Sequence, residues 1–134
     1  RIERIFEEAG VRGELEAYNP LIPDGGNWKA TMLIEYPEEA QRRRELARLK
    51  GIEDRTWVAV AGCAKVMAIA DEDLERENED KTSSVHFLRF ELDAGMRRAL
   101  KQGAELSIGV DHSNYAAKIV VAPEVRQSLA QDLA

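Results

Sequence analysis

Apolar residues recur along this chain in short runs whose period changes several times, and the changes mark out its elements. Trp28, Ala30, Met32, Ile34 and Tyr36 alternate with Lys29, Thr31, Leu33 and Glu35, the period-two pattern of a half-buried strand with its tryptophan face inward. Pro37, Glu38 and Glu39 suit a helix start, Lys50 suits a helix end and Gly51 suits the position just past it, which predicts a helix over 37–50. Two β-rich runs, 56–61 and 65–70, meet at Gly62-Cys63 and read as a tight hairpin. Asp71, Glu72, Asp73, Glu75, Glu77, Glu79 and Asp80 then face Arg76 alone. Like charge without an apolar period predicts a solvated loop there.

The pattern resumes at Val85. His86, Leu88, Phe90 and Leu92 share one face of a strand, which should point inward with His86 at its rim. Asp93 caps a short helix containing Met96, Ala99 and Leu100 and ending at Gly103. Leu106, Ile108 and Val110 line the next strand, Asp111-His112-Ser113-Asn114 turns the chain, and Tyr115, Ala117, Ile119 and Val121 line the last strand. Pro123 opens a terminal helix with Val125, Leu129 and Leu133 on one stripe. At the other end Ile2, Ile5, Phe6 and Ala9 fall at helical spacing from an uncapped Arg1, which suggests that upstream sequence is missing.

These elements predict an α+β fold with a mainly antiparallel sheet, built from two duplicated strand–helix–hairpin units over 29–70 and 85–122. N- and C-terminal helices complete it, in a single domain over 1–134. Met32-Leu33-Ile34-Glu35-Tyr36 corresponds to Leu88-Arg89-Phe90-Glu91-Leu92. The alternative to duplication is two ordinary α+β segments.

Composition narrows the function classes. A net charge of −6 argues against general nucleic-acid binding, which depends on neutralising phosphates. No run reaches the length of a membrane span. A single cysteine, Cys63, allows no internal disulfide and fits a reducing compartment, so the cytoplasm is the expected location.

Candidate chemistry is sparse. His112 follows Asp111 in a turn, where imidazole and carboxylate could both reach a metal. His86 could supply a further nitrogen, and the acidic run a further carboxylate, giving a mixed N/O site suited to iron or manganese. The bland reading makes Asp111 a turn cap and His86 a hydrogen-bonded rim residue. Asp71, Asp73, Glu75 and Glu77 alternate as in a calcium loop, but Arg76 and Thr82 stand where glycine and glutamate are needed. Cys63 has no second cysteine or histidine beside it, and no nucleophile elbow or phosphate loop is present. Arg42, Arg43, Arg44 and Arg48 concentrate positive charge on one helix of an acidic chain. They read either as a docking patch for an acidic protein partner or as a solvated face paired with Glu38, Glu39 and Glu45.

Glu16-Ala17-Tyr18-Asn19-Pro20-Leu21-Ile22-Pro23, Ala40-Gln41-Arg42-Arg43-Arg44-Glu45-Leu46, Gly51-Ile52-Glu53-Asp54-Arg55, Val85-His86-Phe87-Leu88-Arg89-Phe90 and Gly109-Val110-Asp111-His112 resemble the uncharacterised bacterial family catalogued as domain of unknown function 3501. Ser113 departs from its pattern, which tends to carry proline after Asp-His. The resemblance implies a rubrerythrin-linked setting, with peroxide handling or iron–sulfur redox chemistry nearby, and a longer N-terminus. The expected function is therefore an accessory or protein-interaction role in that setting. The alternative is a small metal-dependent or redox enzyme using the His86/His112 region.

Overall fold

The computed structural model describes residues 23–134. The helix expected around Ile2–Ala9 lies outside them. Strand β1 is Asn27–Leu33, helix α1 is Glu39–Arg48, and a 3-10 turn over Ile52–Arg55 leads into β2, Thr56–Val60. Two short strands follow, β3 (Val66–Met67) and β4 (Ile69–Ala70). After the acidic segment come β5 (Val85–Glu91), α2 (Ala94–Lys101), β6 (Leu106–His112), β7 (Tyr115–Val120) and α3 (Pro123–Ala130).

Among the described residues all the strand pairings are antiparallel, in two sheets ordered β1-β5-β4 and β3-β2-β6-β7. The fold is α+β. The 65–70 run does more than close a hairpin. Met67 pairs with Trp57, the Ala68 amide donates to Thr56 O at 2.8 Å, and Ile69 already pairs with Arg89 of the other sheet. One extended segment thus leaves one sheet and joins the next, and the second hairpin, β6-β7, has no such switch.

The local signals act much as their chemistry predicts. Asp93 accepts from the Met96 amide at 2.8 Å as the cap of α2. Gly51 and Gly103 take φ of 83° and 93° just beyond their helices. Helix α1 starts two residues later than Pro37 suggests, behind an extended Glu38.

Trp28, Val58, Val60, Leu88, Phe90, Leu92, Met96, Leu100 and Leu106 form the core. Helix α3 is drawn onto β1 by the Trp28 indole, whose Nε1–H donates to Leu129 O at 3.0 Å, while the Ala134 amide donates to Gly25 O at 2.8 Å. The last strand differs from expectation. Every residue of β7 is exposed, Ile119 at 61%. Ile119 does share the inward side of its sheet, since it pairs with Ile108, which pairs with Val58. Nothing among the described residues covers that end of the face. Among those residues no helix is long and apolar enough to cross a membrane.

Candidate functional site

His86 is placed by the alternation of β5, whose face of His86, Leu88 and Phe90 is wholly buried. Its exposure is 0%, so it lies inside the core and not at the rim of the strand's apolar face. A polar ring can sit there because its hydrogen bonds are made. Nδ1 lies 2.5 Å from Asp71 Oδ2. Nε2 lies 2.9 Å from Ser83 O and 2.8 Å from Thr82 Oγ1, with Glu53 Oε2 at 3.7 Å. Thr82 Oγ1 in turn donates to Glu53 Oε2 at 3.3 Å.

The directions of these bonds follow from what each atom can do. Ser83 O only accepts, and the Asp71 carboxylate only accepts. Every contact is satisfied when both ring nitrogens carry hydrogen: Nδ1–H donates to Asp71, and Nε2–H is shared by Ser83 O and Thr82 Oγ1. The order Asp71–His86–Thr82 looks like the carboxylate–imidazole–hydroxyl chain of nucleophilic catalysis. It cannot work as one in this arrangement, because Thr82 is 1% exposed, its hydroxyl hydrogen goes to Glu53, and Nε2 faces a carbonyl.

The network shapes the acidic segment. Asp71 has φ of +52°, a left-handed conformation that aspartate tolerates better than most residues. There its Oδ1 accepts from the Phe87 amide at 2.9 Å and from Arg76 Nη1 at 3.1 Å. Burial pushes the Asp71 carboxyl up, but hydrogen bonds from His86, the Phe87 amide and Arg76 outweigh it and hold it below its ordinary value. Burial pushes Glu53 up; Glu77 adds to the rise, and a backbone hydrogen bond and the charge of His86 oppose it. Arg76 also grips Asp73, held down to about 2, and stacks 4.6 Å over the Phe87 ring. Farther along, Glu77 accepts from the Gly51 amide at 2.6 Å, the Thr82 amide donates to Leu46 O at 3.1 Å, and Lys50 Nζ donates to Glu79 O at 2.6 Å. The expected solvated loop is therefore pinned at several points. A cleft of about 350 Å³ lies over it, lined by Glu53, Asp54, Asp71, Glu72, Arg76 and Glu77 among others.

His112 belongs to a different structure. Its Nε2–H donates to Lys50 O at 2.7 Å and its Nδ1 accepts from the Asn114 amide at 3.0 Å. Asn114 Nδ2 donates to Arg48 O at 2.7 Å, so the turn closes off carbonyls at the end of α1 that would otherwise lack donors. Asp111 takes part through its carbonyl, which accepts from Arg55 Nε at 3.0 Å. The ring nitrogens of His86 and His112 thus meet separate partners, and Asp111 is held through its main-chain carbonyl. Asp71 and Glu53 flank opposite nitrogens of one ring, so their oxygens do not converge. Among the described residues no group of three or more His, Cys, Asp or Glu is placed to hold a metal ion.

The arginines of α1 are divided. Arg42 donates to Tyr36 O at 3.2 Å, Arg43 pairs with Glu39 at 3.2 Å, and Arg48 pairs with Glu45 at 2.8 Å. Arg44 is exposed, and no described residue pairs with it. Cys63 is half-buried against the core as a free thiol. The sequence reading did not single out Glu53 or Thr82. A faint signal for Thr82 was available in its position four residues before an inward-facing histidine.

The model of a family described as "Protein of unknown function (DUF3501)" matches residues 1–133. The chain belongs to this family. A solved member-like structure, a protein of unknown function from Burkholderia pseudomallei K96243, is 57% identical and superposes with a TM-score of 0.85. The match covers 97% of the present chain and 68% of that one. No curated protein matches. For this DUF3501 chain, then, likeness to the family extends over residues 1–133, and neither the family description nor that of the similar structure gives an activity.

Proposed function

We propose that this DUF3501 chain is a non-catalytic accessory protein that docks an acidic protein partner through the exposed arginines of α1. The observation that carries the reading is Arg44, exposed and unpaired among the described residues, one turn before Arg48 and beside Arg43. Like charges at i and i+4 work against an isolated helix, so Arg44 and Arg48 are not there for its stability. The pairs made by Arg43 and Arg48 are surface pairs, worth about 0–1 kcal/mol, and a partner's carboxylates could exchange with them cheaply. The rubrerythrin-linked setting implied by the family resemblance is where such a partner would be sought. The matching order β1-α1-β2-β3 and β5-α2-β6-β7 supports an internal duplication as the origin of the fold. Replacing Arg43, Arg44 and Arg48 by Glu should abolish binding of a glutamate-rich peptide at low salt while leaving the thermal melt nearly unchanged. Equal binding by the variant would return these arginines to an ordinary solvated face.

The alternative is a small metal-dependent or redox enzyme using His86, His112 and Asp111. It would require both histidines to abandon the partners they hold, so it stands behind the first. Metal analysis of protein purified without chelator tests it, with stoichiometric iron or manganese as the result in its favour.

A further inference from the structure

We propose that β7 is a homodimer interface, at which two copies of this chain join their sheets edge to edge, with Ala117 on the twofold axis. Among the described residues β7 pairs on one side only, with β6. The pairing fixes which main-chain groups are left over. The Val121 amide donates to Leu106 O at 2.8 Å, so the odd-numbered residues of β7 turn their N–H and C=O toward β6. Ala116, Lys118 and Val120 turn theirs outward, to an edge that no other described strand pairs. Of the usual protections that edge carries a single charge, Lys118, and holds no proline and no bulge. The side chains match this state. Tyr115 and Ile119 are 49% and 61% exposed on the side of the sheet that forms the core, and Val120 is 56% exposed on the other.

Symmetry and charge choose the occupant and the register. Two antiparallel copies of one strand in a continuous sheet are related by an axis normal to it, so each residue meets a residue of the same parity. Outward-facing even residues must therefore bond to even residues. An axis through Lys118 would set two ammonium groups face to face, which is unfavourable. An axis through Ala117 avoids this. It puts Ala116 and Lys118 in reciprocal hydrogen-bonded pairs and sets each Tyr115 against the other copy's Ile119, an aromatic–β-branched pair of the favourable kind. The strand thus complements itself: the uncovered apolar stripe of one copy is continued by that of the other. A six-residue edge falls short of the roughly 800 Å² per partner of standard stable interfaces, so the dimer should depend on concentration.

The test is sedimentation together with site-directed crosslinking. The wild-type chain should move from its monomer mass of 15.1 kDa toward twice that value as concentration rises toward ~0.5 mM. Lys118→Pro should keep it monomeric, since the lost N–H points away from the chain's own sheet. In a Cys63→Ser background, Ala117→Cys should oxidise to a covalent dimer about tenfold or more faster than Ala116→Cys. Residues facing each other across the axis have Cα atoms about 4.5 Å apart, within disulfide range, whereas Ala116 and its own copy lie on a diagonal of about 7–8 Å. A wild-type chain that stays monomeric throughout would overturn the proposal. So would equal crosslinking at 116 and 117, as would capture of an unrelated extended peptide by β7 in preference to a second copy.

Discussion

Replacing Asp71 by Ala should cost about 5 kcal/mol of folding stability. The substitution removes the acceptor 2.5 Å from His86 Nδ1 on a ring with 0% exposure, and the acceptor of the Phe87 amide and of Arg76. Breaking a buried pair while one charged member stays behind costs roughly 3–5 kcal/mol. Alanine in the left-handed conformation at φ +52° adds about 1 kcal/mol. Against a total of about 5–15 kcal/mol for a domain, this is a large share. Asp71→Asn separates the terms. Asn tolerates the backbone and can still accept from Phe87, but it has no carboxylate for the imidazole, so about 2 kcal/mol should be lost. Urea unfolding followed by the fluorescence of Trp28 and Trp57 reads both values. The pH dependence supplies an internal check. The folded Asp71 carboxyl is held below its ordinary 3.8, so its contribution is complete above that value and is lost as pH falls through the depressed one. The gap between wild type and Asp71→Ala should therefore narrow as pH falls below 3.8 through the depressed value. An Asp71→Ala protein within about 1 kcal/mol of wild type would show that the histidine network does not hold the acidic segment.

Glu53→Gln should act in the opposite sense. The folded Glu53 carboxyl is raised above its ordinary 4.5, so ionising it opposes folding, a cost absent below that value and growing as pH rises through the raised one. Glutamine still accepts from Thr82, so the variant should match wild type near pH ~4 and exceed it near pH ~8 in urea midpoint; a pH-independent difference would contradict this. Gly109→Ala should lose about 2–3 kcal/mol, because a methyl there would enter the Trp57 ring and lie 2.6 Å from Ala117 O on β7. A wild-type midpoint and tryptophan emission would mean that β7 yields more easily than a paired strand should.

The sequence by itself determined most of the local structure, because strands, helices and caps are set by period and by neighbours a few residues away. Asp93, Gly51, Gly103 and the alternating face of β5 could all be read directly. The succession of strands and helices was legible; that the 65–70 run passes between two sheets was not, since pairing partners such as Arg89 are remote in sequence. The same limit applies to the polar residues. Asp71 among carboxylates of the same type carries no mark of its role. Only the approach of β4 to β5 puts its side chain against His86, in a place where one unmet hydrogen bond is costly. His112 and Asp111 looked like ligands by type and spacing; tertiary structure gave both His112 ring nitrogens partners in the turn and at the end of α1, while Asp111 meets Arg55 through its main-chain carbonyl. Ile119 fell on the inward face as its alternation required. Whether that face is covered depends on which element packs beyond the edge of the sheet, and alternation along a single strand contains nothing about it.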